Sequence, residues 1–518
     1  MENTEMNRKG LLFRIVIPAF KEINIFSRIA KTMSALGPIM VATVADKLSG
    51  WRVEVIDENN YRKGPRNKEG FADHKVLQEE NPAAVVGLFC GLSSTMERVW
   101  QLAEFYRQKE VVTVAGGWHV RYQPEESLKK GIDVVAYGDG ESIIQQLLGI
   151  IERKESLSMV PGISFLKEGQ VKTVPQAGLE TLDLNSLPFP NFGLLKHAEL
   201  KVYPIGRIRG CSRHCEFCSV RGKPNWATGQ HLFETVKWLV ESRGASRFFI
   251  VDDRLEEDRN GTLDFFALVS EEYGSRLKFT VQIRLEAAKD TLLLDAMKKA
   301  GVRTVCIGYE SCLNEELIGM KKGYLSSDMV KWTKVFHDFG FFIHGMFIFG
   351  YPLREVITVI SAKERMESLK RFIRQCRVDT VQVFRPVPLA GTELRSRIEH
   401  EGKLFPLEIV PWSKYDGNYI CYQPDNMTLQ ELQELPIKIM RWFYSSLNLA
   451  TIPLKTLIFP LDYLIRGWQC WYRDWRNDIT KYGGHLLIQR WLKHYKHQSF
   501  LKKLEKFSLK PKNTNPPH

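Results

Sequence analysis

The sequence predicts an α/β protein in which two successive units of alternating strands and helices precede a basic, helical C-terminal extension. Short apolar runs recur through residues 14–155 and again through residues 201–390, and amphipathic helical stretches separate them. Charge marks the extension, because Lys and Arg outnumber Asp and Glu by 14 to 4 from Arg441 to His518, whereas residues 1–440 are almost balanced. At 518 residues the chain is long enough for two or three domains.

The first unit, residues 14–155, is predicted to be a doubly wound parallel sheet. Its strands are expected at 14–19, 52–57, 84–90, 111–117 and 133–141, with helices over 37–48, over 95–108 and up to about residue 153. Ligands of such sheets bind at the carboxyl ends of the strands. Small or polar residues are expected at that edge: Ser93, Ser94, Gly116, Gly117, His119 and Gly138.

Residues 156–200 are predicted to be a proline-containing connector, and the alternation resumes in residues 201–390. Strands are expected at 204–209, 247–252, 278–283, 304–309, 342–349 and 380–386. Asp290 and Gly301 flank one of the intervening helices, as an N-cap residue and a C-terminal glycine should.

Composition excludes several classes of protein. The chain is 44% hydrophobic and 26% charged, which is typical of a globular protein. Nine scattered or clustered cysteines in so long a chain argue against a disulfide framework and for the reducing cytoplasm. No apolar segment of a secretory signal follows Met1, and the near-neutral body does not indicate nucleic-acid binding.

Three cysteines at C-x3-C-x2-C spacing, Cys211, Cys215 and Cys218, are the strongest chemical signal in the chain. A [4Fe–4S] cluster used only for electron transfer normally has four thiolate ligands, so three leave one iron open to a substrate or cofactor. The alternative is a zinc site completed by His214. Zinc sites usually repeat a C-x2-C pair, however, and the sequence has no second pair.

With Phe217 just before the third cysteine, the motif resembles the signature of the radical S-adenosylmethionine (SAM) enzymes. The resemblance implies that the three cysteines hold the cluster, that the open iron binds the methionine part of SAM, and that the backbone around Phe217 helps to hold adenine. In that family a reductant such as ferredoxin or flavodoxin drives cleavage of SAM to a 5′-deoxyadenosyl radical. The protein then has to position the reactants and shield the radical.

The first unit, including Gly-Gly-Trp-His (116–119) and Gly-Asp-Gly-Glu (138–141), resembles the cobalamin-binding domain of one branch of radical SAM enzymes. The resemblance implies a cobalamin site at the sheet edge that holds Ser93, Ser94, Gly116, Gly117, His119 and Gly138. The Asp-x-His-x-x-Gly loop that supplies a histidine ligand in other cobalamin proteins is missing, because His74 lacks the spacing and His119 comes too late. Two alternatives follow: cobalamin bound without a histidine ligand, or the fold retained without the cofactor.

The second unit resembles the partial (β/α)6 barrel of radical SAM enzymes, in which reactive groups gather at the carboxyl ends of the strands. The resemblance assigns Asp252 and Asp253 to the methionine amino group and Gln282, Arg284 and Glu310 to ribose or carboxylate contacts. The alternative for each is a structural contact at the barrel mouth, for example between Arg284 and Glu310. Residues 391–445 resemble the segment that follows the barrel in this branch, so the likeness covers residues 14–445.

The tail, residues 446–518, combines aromatic residues with lysine and arginine. Its apolar run at 454–465 is too short and too broken to span a bilayer. Residues 485–507 predict a basic amphipathic helix, which suits peripheral contact with the inner, anionic face of a membrane. The alternatives are a helix packed on the barrel and an RNA-binding segment.

Taken with the resemblance, these features predict an enzyme that uses a [4Fe–4S] cluster, SAM and cobalamin on an unactivated carbon. C-methylation of a lipid or polycyclic small molecule is the leading expectation. The alternatives are a non-methylating oxidation, cyclisation or C–C coupling, a radical modification of RNA or protein, and a non-enzymatic iron–sulfur sensor.

Overall fold

A computed structural model of the chain describes residues 10–20, 31–176, 181–220, 222–354, 360–445, 483–493, 495 and 497–507. Two sheets dominate it. The first has eight strands in the order β7-β6-β5-β4-β3-β1-β2-β8, and the second has six in the order β16-β15-β14-β13-β12-β9. Both are α/β layers, so the predicted fold class is confirmed.

The first sheet has the crossover order of a doubly wound fold, because β1 pairs in parallel with both β2 and β3. Its strands are β1 (Leu11–Ile17), β2 (Trp51–Asp57), β3 (Val85–Phe89), β4 (Val112–Gly116), β5 (Val134–Ala136), β6 (Ile163–Lys167), β7 (Gln170–Val174) and β8 (Leu195–Lys196). The helices that cover it are α1 (Leu36–Ala45), α2 (His74–Glu80), α3 (Met96–Arg107), α4 (Trp118–Tyr122), α5 (Pro124–Lys129) and α6 (Gly140–Glu152). The five predicted strands and the three predicted helices are all present.

Burial on both faces explains why β1 is almost continuously apolar. Its one charged residue, Arg14, is fully buried beside its register partner Glu54, with Nε 2.5 Å from Oε1. The same guanidinium donates to the carbonyl oxygens of Leu77 and Asn81 at 3.0 and 2.6 Å. The charge is thus fully paired, as a buried guanidinium requires.

Three strands lie within residues 156–200, where the sequence predicts only a connector. The hairpin of β6 and β7 extends the sheet beyond β5 in antiparallel fashion, and β8 pairs with β2 at the opposite edge. These strands are short, and β7 is largely exposed. They therefore lack the long apolar run by which the other strands are predicted.

The second sheet is entirely parallel, and its strands follow one another in chain order, as in a partial (β/α)6 barrel. They are β9 (Tyr203–Ile205), β12 (Arg247–Ile250), β13 (Lys278–Gln282), β14 (Val302–Glu310), β15 (Phe342–Ile348) and β16 (Thr380–Phe384). Two short antiparallel strands, β10 (Ile208–Arg209) and β11 (Asn225–Trp226), follow β9. The helices are α7 (Gly229–Arg243), α8 (Arg259–Tyr273), α9 (Thr291–Lys299), α10 (Asn314–Gly319), α11 (Ser326–Asp338) and α12 (Ala362–Cys376).

The predicted start and stop signals of α9 are confirmed. The Asp290 carboxylate accepts a hydrogen bond from the Leu293 amide at 3.1 Å, and Gly301 has a φ of +94° just after the helix.

The C-terminal part covers the free edge of β16. Helices α13 (Glu393–His400), α14 (Leu429–Phe443) and α15 (His497–Glu505) follow the barrel, and residues 483–493 are also helical. The Tyr444 hydroxyl bonds both the amide and the carbonyl of Val381 on β16, each at 2.9 Å. An open sheet edge is thereby satisfied within the chain.

The predicted single helix over 485–507 is instead two helical pieces on either side of Tyr495. Their apolar side is buried on the protein: the Tyr495 hydroxyl donates to the Asn418 carbonyl at 2.7 Å, and Phe500 packs edge-on against Tyr419. Packing is therefore the role of this apolar side. The aromatic residues between 446 and 482 lie outside the described residues. Nowhere in the described ranges does a helix have the length and apolar character of a membrane span.

Candidate functional site

A cavity of about 870 Å³ lies between the carboxyl edge of the first sheet and the barrel. Its size is that of a site for a large organic ligand. The sheet side of its wall includes Gly116, Gly117 and Gly138, and the barrel side includes residues 205–210 with Asp252 and Asp253. The site therefore lies where an open α/β sheet binds its ligands and directly adjoins the segment that leads to Cys211.

Close packing requires glycine at one of these positions. Gly117 has a φ of +133°, and a Cβ there would come within 2.5 Å of the Cys90 backbone carbon. Glycine at this position lets the sheet edge approach its neighbour closely. A Cβ on Gly138 would meet only the end of the flexible Gln176 side chain, at 2.6 Å.

Ser93, Ser94 and His119, which the sequence also predicts at this edge, are not part of the cavity wall. The Ser93 hydroxyl lies 2.9 Å from His119 Nδ1, and the His119 ring packs edge-on against Trp412 with centroids 4.6 Å apart. Burial lowers the pKa of His119 to about 3, so its ring is neutral. Ser93 and His119 thus help join the first unit to the segment after the barrel, and Ser94 is half-buried nearby.

His74 is likewise held away from the cavity. Its Nδ1 lies 2.7 Å from the Tyr106 hydroxyl and its Nε2 lies 3.3 Å from Glu58 Oε1. Because both ring nitrogens have protein partners, this histidine is engaged in the structural network beneath the sheet.

The three motif cysteines lie on the loop between β10 and β11. Cys215 is buried, Cys211 and Cys218 are half-buried, and none forms a disulfide. Burial raises the pKa of the Cys218 thiol to about 11, and the neighbouring Cys215 and Cys211 act in the same direction. The thiols are therefore close enough to interact, and three thiols on one loop are a donor set that fits a cluster with one open iron.

Among the residues that the structure describes, no three His, Cys, Asp or Glu side chains converge as a ready-made site for a single metal ion. The assignment of the cysteines to a cluster stays a prediction from their spacing.

Glu216, between the second and third cysteines, anchors this loop. Its buried carboxylate accepts hydrogen bonds from the Tyr351 hydroxyl at 2.6 Å and from Arg397 Nε at 2.8 Å. Its backbone amide donates to the Met320 carbonyl, and its carbonyl accepts from the Leu394 amide. Phe217 follows, packing edge-on against Tyr351 at 6.3 Å. The loop is thus tied to the end of β15 and to α13.

Asp252 and Asp253 follow β12 and organise the approach to the cysteine loop. Asp252 Oδ1 accepts from the amides of Arg207 and Ile208 at 2.6 and 2.9 Å, while its Oδ2 is buried and without a hydrogen-bond partner within the described residues. Asp253 accepts from the Gly210 amide at 2.7 Å. Burial raises the pKa of Asp252 to about 6. Its unpartnered oxygen is available to an amino or hydroxyl donor.

The other three predicted residues at the barrel mouth do not contact one another: one is exposed, and the other two pair with different residues. Gln282 is exposed at the end of β13. Arg284 pairs with Glu286 at 2.9 Å and reaches to 4.0 Å from the Cys215 sulfur. Glu310 pairs with Lys322 at 3.1 Å, so the structural contact between Arg284 and Glu310, named above as an alternative, is not formed.

Sequence reasoning missed Lys322 and Glu256. Lys322 is buried, and its carbonyl accepts from Arg284 Nη2 at 2.6 Å. Glu256 accepts from the Arg284 amide at 2.9 Å, and burial raises its pKa to about 7. Both are charged residues outside the strands, and no spacing rule marks them. Glu310 itself has a φ of +62°, an unusual conformation for a residue with a Cβ, which marks the end of β14 as a special position.

Comparison with known proteins follows the same division of the chain. The sequence model of the B12 binding domain matches residues 25–148. The chain is 25% identical over 477 residues to the cytidylyl-2-hydroxyethylphosphonate methyltransferase of Streptomyces wedmorensis. This match covers 81% of this chain and 88% of that protein. It is 22% identical over 414 residues to the bacteriochlorophyllide d C-8(2)-methyltransferase of Chlorobaculum tepidum, covering 75% and 83%.

Among solved structures, the cobalamin-dependent SAM radical enzyme OxsB with aqua-cobalamin and SAM bound superposes with a TM-score of 0.64 at 14% identity. The match covers 96% of this chain and 80% of that one. The chain thus carries a B12-binding domain over residues 25–148 and shares the fold of that enzyme. In this fold the cavity lies against the B12-binding domain, and the cysteine loop lies at the barrel mouth beside it.

Proposed function

We propose that the enzyme transfers a methyl group to an unactivated carbon of a small, largely apolar molecule. In this proposal Cys211, Cys215 and Cys218 hold a [4Fe–4S] cluster, SAM binds at its open iron, and cobalamin occupies the cavity. Together these groups would supply a carbon-centred radical and a methyl group, which is the chemistry needed where a C–H bond has no acidic proton.

One observation carries the proposal: the wall of the cavity is shared by the B12-binding domain and the segment next to the cysteine loop. Gly116 and Gly117 contribute from the sheet, and Arg209 and Gly210, directly before Cys211, contribute from the barrel. A ligand in the cavity and a cluster on the loop would then be neighbours.

The surrounding residues have matching roles. We assign the unpartnered Asp252 oxygen and Asp253 to the SAM amino group, and the backbone around Phe217 to adenine. Gln282, Arg284 and Glu310 are assigned to ribose or carboxylate contacts, with Lys322 holding Glu310 in place at 3.1 Å. Positively charged Arg284 beside Cys215 favours thiolate ligands.

Anaerobic reconstitution with iron, sulfide and cobalamin tests the proposal. With SAM and a reductant, wild-type protein should form 5′-deoxyadenosine. Cys211→Ala should abolish it, whereas Cys376→Ala, a buried cysteine on α12, should retain it. Formation of 5′-deoxyadenosine by Cys211→Ala would refute the cluster assignment, and a protein that retains no cobalamin would refute the methylation.

We also propose that the tail brings the enzyme to an anionic membrane, where a lipid substrate would be found. Support comes from the tail's charge and from the exposed side of its two helical pieces, which carries Arg490, Lys493, Lys502 and Lys506 while the apolar side is buried. Each basic residue near an anionic surface contributes about 1 kcal/mol.

Vesicle sedimentation tests this contact. Wild type should sediment with phosphatidylserine-containing vesicles and be released by salt, while Lys493→Glu/Lys502→Glu/Lys506→Glu should not. A control triple reversal at exposed Lys109, Lys129 and Lys334 should bind as wild type does. Equal loss in both triple variants, or equal binding to neutral vesicles, would contradict the proposal.

A further inference from the structure

The inner wall of the barrel is built from the alternate side chains of β13 to β16. On β14, Val305, Ile307 and Tyr309 are fully buried, and the Tyr309 hydroxyl lies 2.7 Å from Thr333 of α11. On β15, Phe347 packs against Phe372 of α12. These side chains face the outer helices, so the residues between them face the inside of the barrel.

The inward side chains form a row across four strands. The sheet register places Gln282 beside Cys306, Cys306 beside His344, and His344 beside Thr380. His344 Nδ1 lies 2.9 Å from the Thr380 hydroxyl, and its Nε2 lies 3.1 Å from Gln382 Oε1. Burial lowers the pKa of His344, so its ring is neutral at pH 7 and the whole row is uncharged.

Nearer the carboxyl ends of the strands, the same wall becomes apolar. Met346 and Ile348 follow His344 on the inward side of β15, and Phe384, the register partner of Ile348, follows Gln382 on β16. The charged groups at the carboxyl rim are paired, as in the contacts of Glu310 with Lys322 and of Arg284 with Glu286. Apart from Glu310 at this rim and the exposed Lys278 at the amino end of β13, the inward positions of β13 to β16 include no charged side chain.

From this wall we infer the substrate class of the proposed reaction: a neutral, largely apolar molecule whose inner end carries a hydroxyl or amide group. Gln382, Thr380 and His344 would select that group, while Met346, Ile348 and Phe384 contact the apolar body. A carboxylate, phosphate or ammonium group at the inner end would lose its hydration and find no opposite charge, which is strongly unfavourable. A neutral hydroxyl would exchange water for the hydroxyl of Thr380 and the amide of Gln382.

This inference depends on the proposed function, so its test begins with protein whose iron and cobalamin content and 5′-deoxyadenosine formation have been measured. The probes are three fluorescent molecules with one skeleton: 2-naphthalenemethanol, 2-naphthoate and 2-naphthylmethylammonium. Their affinities for cofactor-loaded protein with SAM bound are measured by fluorescence titration. The alcohol should bind at least tenfold more tightly than either ion.

Gln382→Leu should weaken binding of the alcohol about tenfold, the effect of one lost hydrogen bond that leaves a partner unpaired. Thr380→Val, a smaller change, should weaken binding of the alcohol severalfold, and it replaces Gln382→Leu as the test if that variant fails to fold. Tyr309→Phe is the matched control, since its hydroxyl lies on the outer side of the same sheet, and it should bind as wild type does.

Tighter binding of the carboxylate or the ammonium probe would overturn the inference. So would unchanged affinity in both Gln382→Leu and Thr380→Val, or the absence of alcohol binding to wild type that forms 5′-deoxyadenosine. Failure of 5′-deoxyadenosine formation itself would instead count against the proposed function.

Discussion

Replacing Glu216 with glutamine should destabilise the barrel and loosen the cysteine loop, because a buried carboxylate is the hub of that loop. The side chain is 1% exposed and accepts bonds from Tyr351, Arg397 and Arg354. Glutamine keeps the shape of the side chain but removes its charge. Its NH2 group is a donor and would face the donors that the second carboxylate oxygen accepts from. The Arg397 side chain, itself only 10% exposed, would lose its buried counter-charge.

The size of the effect follows from these burials. Breaking a buried ion pair on one side costs roughly 3–5 kcal/mol, and the lower end applies because Arg397 keeps Glu401 at 3.1 Å. Arg354, with a side chain 55% exposed, adds little. A loss of about 3 kcal/mol would lower the Tm of the barrel by about 6–12 °C.

The assay is thermal unfolding of the protein without cofactors, together with iron retained per chain after reconstitution and gel filtration. Glu216→Gln should show both the lower Tm and less iron. Glu401→Gln, which removes the more exposed partner of the same arginine, should cost less than about 1 kcal/mol and keep its iron. Wild-type Tm and iron content in Glu216→Gln would refute the view that this carboxylate holds the loop.

Three further predictions follow from single contacts. Burial raises the pKa of Asp252 to about 6, so the folded state holds that proton more tightly than the unfolded chain does. The stabilisation from the bound proton is present at low pH and is lost as the pH rises towards 6, so the Tm of cofactor-free wild type should fall more between pH 4.5 and 6.5 than the Tm of Asp252→Asn. Parallel Tm curves would contradict this. His74→Gln should retain cobalamin, measured by absorbance after gel filtration, because both ring nitrogens of His74 bond within the domain; histidine hyperfine splitting in the electron paramagnetic resonance spectrum of wild type, lost in the variant, would oppose it. Tyr444→Phe should lower stability by about 1–3 kcal/mol, since it leaves the Val381 amide and carbonyl unpaired, and an unchanged Tm would show that the sheet edge finds other partners.

The alternation of strands and helices was predictable because strands buried on both faces need long apolar runs, which are visible in sequence. β1 is such a strand, whereas burial alternates along β14, and each lies within three residues of its predicted bounds. The hairpin of β6 and β7 was not predictable in this way, because its strands are short and polar on the exposed side. Its place at the sheet edge depends on pairing with β5, which is a tertiary contact.

The site shows the same difference between local and distant information. The cysteine spacing and the glycines at 116, 117 and 138 are local patterns, and the structure places those glycines on the cavity wall. The partners of charged residues are not local. Glu310 pairs with Lys322 twelve positions later, and His119 packs against Trp412, nearly three hundred positions away. Such contacts are fixed by how the units dock.

That docking has a consequence for the proposed chemistry, in which two cofactors act on one substrate. Their separation must stay constant, so the B12-binding domain and the barrel need a rigid junction. Arg209, two residues before Cys211, forms an ion pair with Glu141 of α6, with Nη2 2.5 Å from Oε1, and Glu141 is almost fully buried. On the segment after the barrel, the indole of Trp412 donates to Glu126 of α5, and the Ser413 hydroxyl donates to Glu97 of α3 at 2.7 Å. Buried charge and hydrogen bonds of this kind are costly to break singly, so they hold the two halves in one relative position while leaving the cavity between them open.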